Sequence, residues 1–361
     1  MAIQLKSRVT IQDLAKIAGV AKSTVSDVLN ERKSGTRVSQ KTREKILGIA
    51  EKFNYTPQAS ARALSTGKTY NIGFLLSSKV TLGLANAYFS TIMAGVQQAC
   101  IEQDYNCTVS SYDLSTIDNF VMPNKLRQRS VDGVVITGQV ESKVIERFIE
   151  KQIPFVMVGD TTDFPLQGIL AVARDMVTNW FDILTYLTKL GHRHVMIPGL
   201  FGLRSRELLS KGIELFRKNN PSVDLKVDVP ILEETEDNQF RVAFAAGEAW
   251  ARRDARSRAT AVVSNDQWCL GFLSAIQRSG LACPRDLSVL CPSDTSLCEW
   301  FNPAITAIDM ELFEYGREAS NLLIDLLEKR ISLADAYRRT ADSWKPGKLI
   351  IRESTGAVPV K

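Results

Sequence analysis

Thr10-Ile11-Gln12-Asp13-Leu14-Ala15-Lys16-Ile17-Ala18-Gly19-Val20-Ala21-Lys22-Ser23-Thr24-Val25-Ser26-Asp27-Val28-Leu29 is the stretch on which the fold of this chain turns. Thr10 followed three residues later by Asp13 has the spacing of a helix N-cap with its reciprocating carboxylate. Ile11, Leu14, Ala15 and Ala18 then recur at helical period. That helix stops at Gly19-Val20. Helical spacing restarts at Lys22 with Val25, Val28 and Leu29 facing inward, so two short helices flank a glycine turn as in a helix-turn-helix. Ser39 is placed to cap a third helix, whose Ile46, Ile49, Ala50 and Phe53 complete a three-helix core. Left outward on the second helix are Lys22, Ser23, Ser26 and Asp27, short polar groups and one cation suited to base edges in a major groove.

The charge distribution supports that use. The whole chain of 361 residues is only +5, too little to argue for a nucleic-acid partner, but what matters is where the charge sits. Residues 1–68 hold thirteen Lys+Arg and five Asp+Glu, a net +8, and the remainder is −3. A solvated polar helix face is common, yet here it coexists with a concentrated basic segment and a turn of the right length.

The same residues resemble the headpiece of the lactose-repressor (LacI/GalR) family of transcriptional regulators. The likeness runs from Thr10 to Val20, through Ser23-Thr24-Val25-Ser26 and Val28-Leu29-Asn30, and on through Val38-Ser39, Thr42-Arg43-Glu44 and Asn54-Tyr55-Thr56-Pro57, with a small insertion around 32–36. It implies operator contacts from Thr10, Lys22, Ser23, Thr24, Ser26, Asp27 and Asn30. Arg8, Lys16, Arg32, Lys33 and Arg37 are candidates for phosphate. Two departures matter. Ala21 stands where the family usually caps the second helix with Ser, which forfeits about 1 kcal/mol. Asp27 stands where Arg is common, and a carboxylate can only accept, most naturally from a cytosine amino group.

Pro57-Gln58-Ala59-Ser60-Ala61-Arg62-Ala63-Leu64-Ser65-Thr66-Gly67 opens on Pro and closes on Gly, which are helix start and stop signals. A helix this short is marginal in water and should order only when something packs against it. The resemblance implies a hinge that pairs with its dimer mate in the minor groove, where Leu64 wedges into a base step beside Arg62.

From Tyr70 the texture changes to short apolar runs alternating with helical stretches: Ile72-Gly73-Phe74-Leu75-Leu76, Val134-Val135-Ile136, Phe155-Val156-Met157-Val158, His194-Val195-Met196-Ile197, Ala261-Val262-Val263 and Ser288-Val289-Leu290. Repeated β-α units imply parallel sheets covered on both faces, and so long a stretch should split into two Rossmann-like lobes with a cleft at the strand C-termini. The family likeness implies the same periplasmic-binding-protein-like core, from Gly191-His192-Arg193, Ser264-Asn265-Asp266, Pro284-Arg285-Asp286 and Arg352-Glu353-Ser354-Thr355. The expected fold is α/β. It comprises a headpiece at 1–56, a hinge at 57–69 and a core at 70–361, with lobe 1 about 70–170 and 310–340 and lobe 2 about 171–309 and 341–361.

The effector pocket is where the likeness thins. Asn86-Ala87-Tyr88-Phe89 offers Tyr88 and Phe89 as a stacking wall, Asn265 and Asp266 stand at a strand end, and Trp268 adds a ring. The arginine that similar proteins use falls on Leu209, with Arg204 and Arg206 nearby, so Arg206 is the expected substitute. Of the family's paired acids only Asp294 of Ser293-Asp294 is kept, and Gly159-Asp160 is one residue out of register. A simple sugar needs each hydroxyl hydrogen-bonded, so the expected effector is less polar, or the pocket is rebuilt, or effector control is lost. Each ring is as readily core.

Other chemistries lack their marks. The two histidines, His192 and His194, sit at alternate positions of a strand mouth, a poor metal site. No GxSxG or GxxxxGK[ST] occurs, and six cysteines without a CxxC pair read as buried thiols. No cofactor and no metal are expected, and an enzyme acting in the cleft is a third choice. The start MAIQLKSRVT has no apolar signal region, and no run approaches the roughly 18 apolar residues of a span, so a cytoplasmic protein without membrane contact is expected. No heptad-bearing tail follows Thr355, so a homodimer is expected. The reading is a transcriptional repressor binding a palindromic double-stranded DNA operator under small-molecule control. The alternative is a small-molecule binding protein whose headpiece no longer reads a specific operator.

Overall fold

The computed structural model describes residues 9–29, 38–55, 63, 67–80, 82–123, 126, 128, 130–159, 168–199, 203–230 and 239–358. Two compact units divide at Tyr70 and Asn71.

In the first unit the three expected helices form: α1 (Ile11–Ala18), α2 (Lys22–Leu29) and α3 (Gln40–Lys52). Thr10 and Asp13 close a reciprocal capping box, the Asp13 N–H donating to Thr10 Oγ1 (3.3 Å) and the Thr10 N–H to Asp13 Oδ2 (2.9 Å). Gly19 then takes φ 70°, the left-handed conformation that frees its N–H for the Ala15 carbonyl. Leu14, Ala15, Ala18, Val25, Val28, Ile46 and Ala50 form the core, and Lys45 Nζ donates to the Ala18 carbonyl (2.9 Å), tying α3 to the end of α1. Phe53 departs from expectation. Helix α3 ends at Lys52, so Phe53 is the C-cap, no longer aimed inward by the helical period, and it is exposed; Tyr55 packs on the core instead.

The second unit contains two parallel sheets. Its elements are β1 (Asn71–Ser77), α4 (Ala87–Glu102), β2 (Asn106–Tyr112), β3 (Gly133–Thr137), α5 (Ser142–Glu150), β4 (Phe155–Val158), β5 (Ala171–Val172), α6 (Met176–Lys189), β6 (His194–Met196), α7 (Leu203–Asn219), β7 (Lys226–Asp228), α8 (Gln239–Arg252), β8 (Ala261–Val263), α9 (Asp266–Arg278), β9 (Ser288–Cys291), α10 (Ser296–Trp300), β10 (Thr306–Asp309), α11 (Leu312–Leu327), α12 (Leu333–Ser343) and β11 (Lys348–Ile350). Lobe 1 carries the order β2-β1-β3-β4-β5 and lobe 2 the order β11-β10-β9-β8-β6-β7, with only β11 antiparallel. Central strands are buried end to end, as sheets covered on both faces require.

The chain passes between lobes three times: after β5, after β10 and after α12. Ala171 and Val172 stand at the start of lobe 2 in the sequence reading. They are instead the edge strand of lobe 1, because they pair with Met157 and Val158 of β4. Lobe 1 closes through α4 and α11, which touch backbone to backbone: a Cβ on Gly95 would meet the Phe313 carbonyl oxygen at 1.9 Å, and one on Gly316 the Ile92 carbonyl oxygen at 1.9 Å.

Candidate functional sites

Of the groups expected at an operator, Lys22 and Ser23 are exposed at the start of α2, and Thr24, Ser26 and Asp27 are half-exposed along it. Their neighbours Val25 and Val28 are buried, so α2 divides cleanly into an inner apolar face and an outer polar one. Thr10 is exposed as well, but its hydroxyl is occupied by the Asp13 carboxylate (2.7 Å), which makes it first a helix cap. Those hydrogen bonds hold the Asp13 carboxyl below its ordinary range. Asn30, Arg62, Leu64, Arg8, Arg32, Lys33 and Arg37 lie outside the described residues.

The cleft side of the core is the C-terminal edge of both sheets. In lobe 1 the side chain of Asn86 caps α4 by accepting from the Tyr88 N–H (3.1 Å), which starts the helix with Tyr88 and Phe89. Their rings meet edge to face at 4.9 Å. A Cβ on Gly159, just past β4, would lie 3.7 Å from the Tyr88 hydroxyl, so that ring reaches over the strand ends.

Lobe 2 uses its candidates differently. Asn265 caps α9, accepting from the Trp268 N–H (3.0 Å), and its amide donates to Gln239 (3.1 Å). Asp266 is buried, takes the Thr295 hydroxyl at 2.9 Å and the Gln267 N–H at 2.7 Å, and burial holds its carboxyl above the ordinary range. Asp294 is gripped by both terminal nitrogens of Arg352 (2.8 and 2.7 Å). The Trp268 indole lies flat on Gly199, where a Cβ would come within 2.7 Å of Nε1. Arg206 is half-exposed on α7; Leu209, in the usual arginine position, is buried, and Arg204 pairs with Glu207 at 2.9 Å. Asp160 lies outside the described residues.

Sequence reasoning missed two features. Ser77 Oγ, at the end of β1, and Gln267 Oε1 with Trp268 Nε1, after β8, are buried without a hydrogen-bond partner among the described residues, and such groups favour a polar ligand. Second, Arg174, buried at the first crossing, binds the other two. It donates to the Ser343 carbonyl (3.2 Å), meets Glu311 and Glu318 at 3.4 Å and stacks over the Tyr315 ring at 4.4 Å. Glu311, at the second crossing, takes a left-handed φ of 54°. An isolated arginine after a two-residue strand carries no periodic signal.

The histidines serve structure. His192 is fully buried between the Thr260 and Ser288 hydroxyls and the Gly356 carbonyl. His194 meets Asp228 at 2.6 Å, brought across from β7. Among the described residues no group of three His, Cys, Asp or Glu could hold a metal, and no helix is long and apolar enough to cross a membrane.

Comparison with known proteins agrees at both ends of the chain. Residues 10–58 match the model for bacterial regulatory proteins of the lacI family, and residues 184–355 match a periplasmic binding protein-like domain. A probable HTH-type transcriptional repressor ExuR from Bacillus subtilis (strain 168) is 27% identical over 327 residues, covering 89% of this chain and 92% of its own. The HTH-type transcriptional repressor PurR of Vibrio vulnificus (strain CMCP6) is 26% identical over 330 residues, with the same coverage of both chains. These relatives are regulators rather than enzymes. Among solved structures, the lac repressor dimer bound to operator and an anti-inducer superposes with a TM-score of 0.78 at 24% identity, covering 97% of this chain and all of its own. The chain thus carries a DNA-binding segment of the lacI family of bacterial regulatory proteins ahead of a periplasmic-binding-protein-like domain, and repressors of that kind are similar to it over most of their length.

Proposed function

We propose that this chain is a cytoplasmic DNA-binding repressor that reads a palindromic operator as a homodimer and releases or grips it according to a small effector bound between the lobes. The observation that carries the reading is α2. Its apolar face is spent on the headpiece core while Lys22, Ser23, Thr24, Ser26 and Asp27 remain outside it, which is the division a major-groove helix needs. Asn30, Arg62 and Leu64 are operator contacts in the same reading, on the family likeness alone. Effector control runs through a bistable lobe angle, and the Arg174 cluster at the crossings is where that angle is set. Tyr88, Phe89, Asn265 and Arg206 are the proposed pocket walls, with Ser77 and Gln267 supplying polar anchors. Trp268 Nε1 is a third such anchor, Asp266 and Asp294 support the wall from behind, and the site performs no reaction.

A mobility-shift selection against genomic fragments at several salt concentrations tests the operator reading. Retention of a few palindromes is expected. Weak, unselective and salt-sensitive association alone overturns it in favour of a ligand-binding protein without an operator. A thermal-shift screen then tests the pocket, because a ligand bound only to the native state must stabilise it.

A further inference from the structure

In a parallel α/β lobe every helix C-terminus and strand N-terminus lies at one pole, opposite the cleft. At that pole of lobe 2 four connections enter β7, β6, β8 and β9, which are consecutive neighbours in the sheet. Segments 188–194, 217–226, 252–258 and 277–286 carry eleven Lys+Arg against three acids, a net +8 in a core that is otherwise acidic. The densest is Arg252-Arg253-Asp254-Ala255-Arg256-Ser257-Arg258, exposed up to Arg258.

Helix dipoles account for part of this. Lys189, Arg217, Lys218, Arg252 and Arg278 stand in last turns, where cations are favoured. Arg193 and Arg258 donate to carbonyls at helix ends. None of these roles removes the charge, and acids offset only part of it: Arg252 pairs with Glu248 (3.4 Å) and Lys226 with Asp228 (3.3 Å), Asp254 accepts the N–H of Arg256 in its own turn, and Asp286 is bound by Arg285 and the Ala282 N–H. Arg253 lies beyond the helix end.

We infer that this pole is a second nucleic-acid surface, binding the phosphate backbone of duplex DNA without regard to sequence. Four adjacent strands span about 15 Å, a length of duplex axis that presents roughly nine phosphates. Eight of the eleven cations are Arg, the side chain whose fork fits phosphate. A protein partner fits poorly, since an interface core needs apolar anchors and no large apolar side chain is exposed in the four connections. The same lack leaves nothing to insert into a bilayer and no ring on which single-stranded bases could stack.

The test uses the full chain and a short random-sequence duplex on beads, with a second, labelled duplex in solution. The wild type captures the second duplex at low salt. The variant R252E/R253E/R256E, altered only at exposed side chains, loses about tenfold or more of that capture, and its log-log salt dependence becomes shallower by about 2 to 3. Its melting temperature and first-duplex binding stay in place. R217E/K218E, two strands away, repeats the loss without touching the same loop. Undiminished capture by either folded variant overturns the proposal, as does wild-type preference for phosphatidylserine vesicles over duplex.

Discussion

In the headpiece the polar residues that matter point away from the protein, and in the cleft face of lobe 2 they point into it. Lys22 and Ser23 are exposed beyond a core of seven buried side chains, whereas Asp266 and Asp294 are each hydrogen-bonded by another residue of the same chain and the Trp268 ring is packed on Gly199. The glycines divide the same way. Gly19 has nothing within 4 Å of a hypothetical Cβ and is needed for its left-handed φ; Gly316 has a normal φ and is needed for its emptiness. The headpiece is specified by local geometry, and the core by approach between elements far apart in sequence.

Gly316→Ala is the strongest way to break that contrast. The added methyl meets the Ile92 carbonyl, its carbon and the Val96 nitrogen, all backbone, so α4 and α11 must separate. A loss of more than about 4 kcal/mol is expected, read as failure of the core to unfold cooperatively in a thermal melt. A fall of only a few degrees would mean the two helices slide apart cheaply.

Asp294→Ala comes next. The acid and Arg352 are both mostly buried, and removing one partner strands the other, a loss of about 3 kcal/mol. If Asp294 instead gripped the effector, stability would hold and ligand response alone would vanish. Asn265→Ala is milder, about 1 kcal/mol for a lost N-cap, plus the Gln239 contact. An effector-induced stabilisation that disappears from this variant by more than that amount marks Asn265 as a pocket wall as well as a cap.

These outcomes bear on what the sequence could tell. The capping box, Gly19 and the inward stripe all fall within a few residues of one another, so the headpiece was legible, as were the buried parallel strands with their continuous apolar runs. Phe53 was misplaced because helical period extends past a helix end unless the end is known. The cleft was barely legible. Arg352 lies fifty-eight positions from Asp294 and Asp228 thirty-four from His194, and only the fold makes them partners. Arg174 links residues more than a hundred positions away, with no pattern around it to mark it.

A smaller effect is expected from pH. Burial pushes the His192 imidazole below its ordinary value. Native His192 stays neutral while the unfolded chain takes up a proton, so this site's stability is complete above the unfolded value near 6.5 and declines as pH falls below it. In His192→Gln that decline between pH 7 and 5 should flatten in denaturant titrations. An unchanged slope would assign it to carboxylates.

The smallest effect on the fold, and the sharpest on function, belongs to Asp27→Arg. Asp27 is half-exposed on the outer side of α2, clear of the buried Val25 and Val28, so stability should move by no more than about 0.5 kcal/mol. Base preference should still change. A carboxylate accepts from a cytosine amino group and is repelled by phosphate, whereas a guanidinium donates twice to guanine and is drawn to the backbone. The sequences selected by the variant should differ from those of the parent at one base pair of each half-site, with higher affinity at low salt. An identical selected profile would mean that Asp27 reads no base in the complex, and that any base contacts of α2 come from Lys22, Ser23, Thr24 and Ser26.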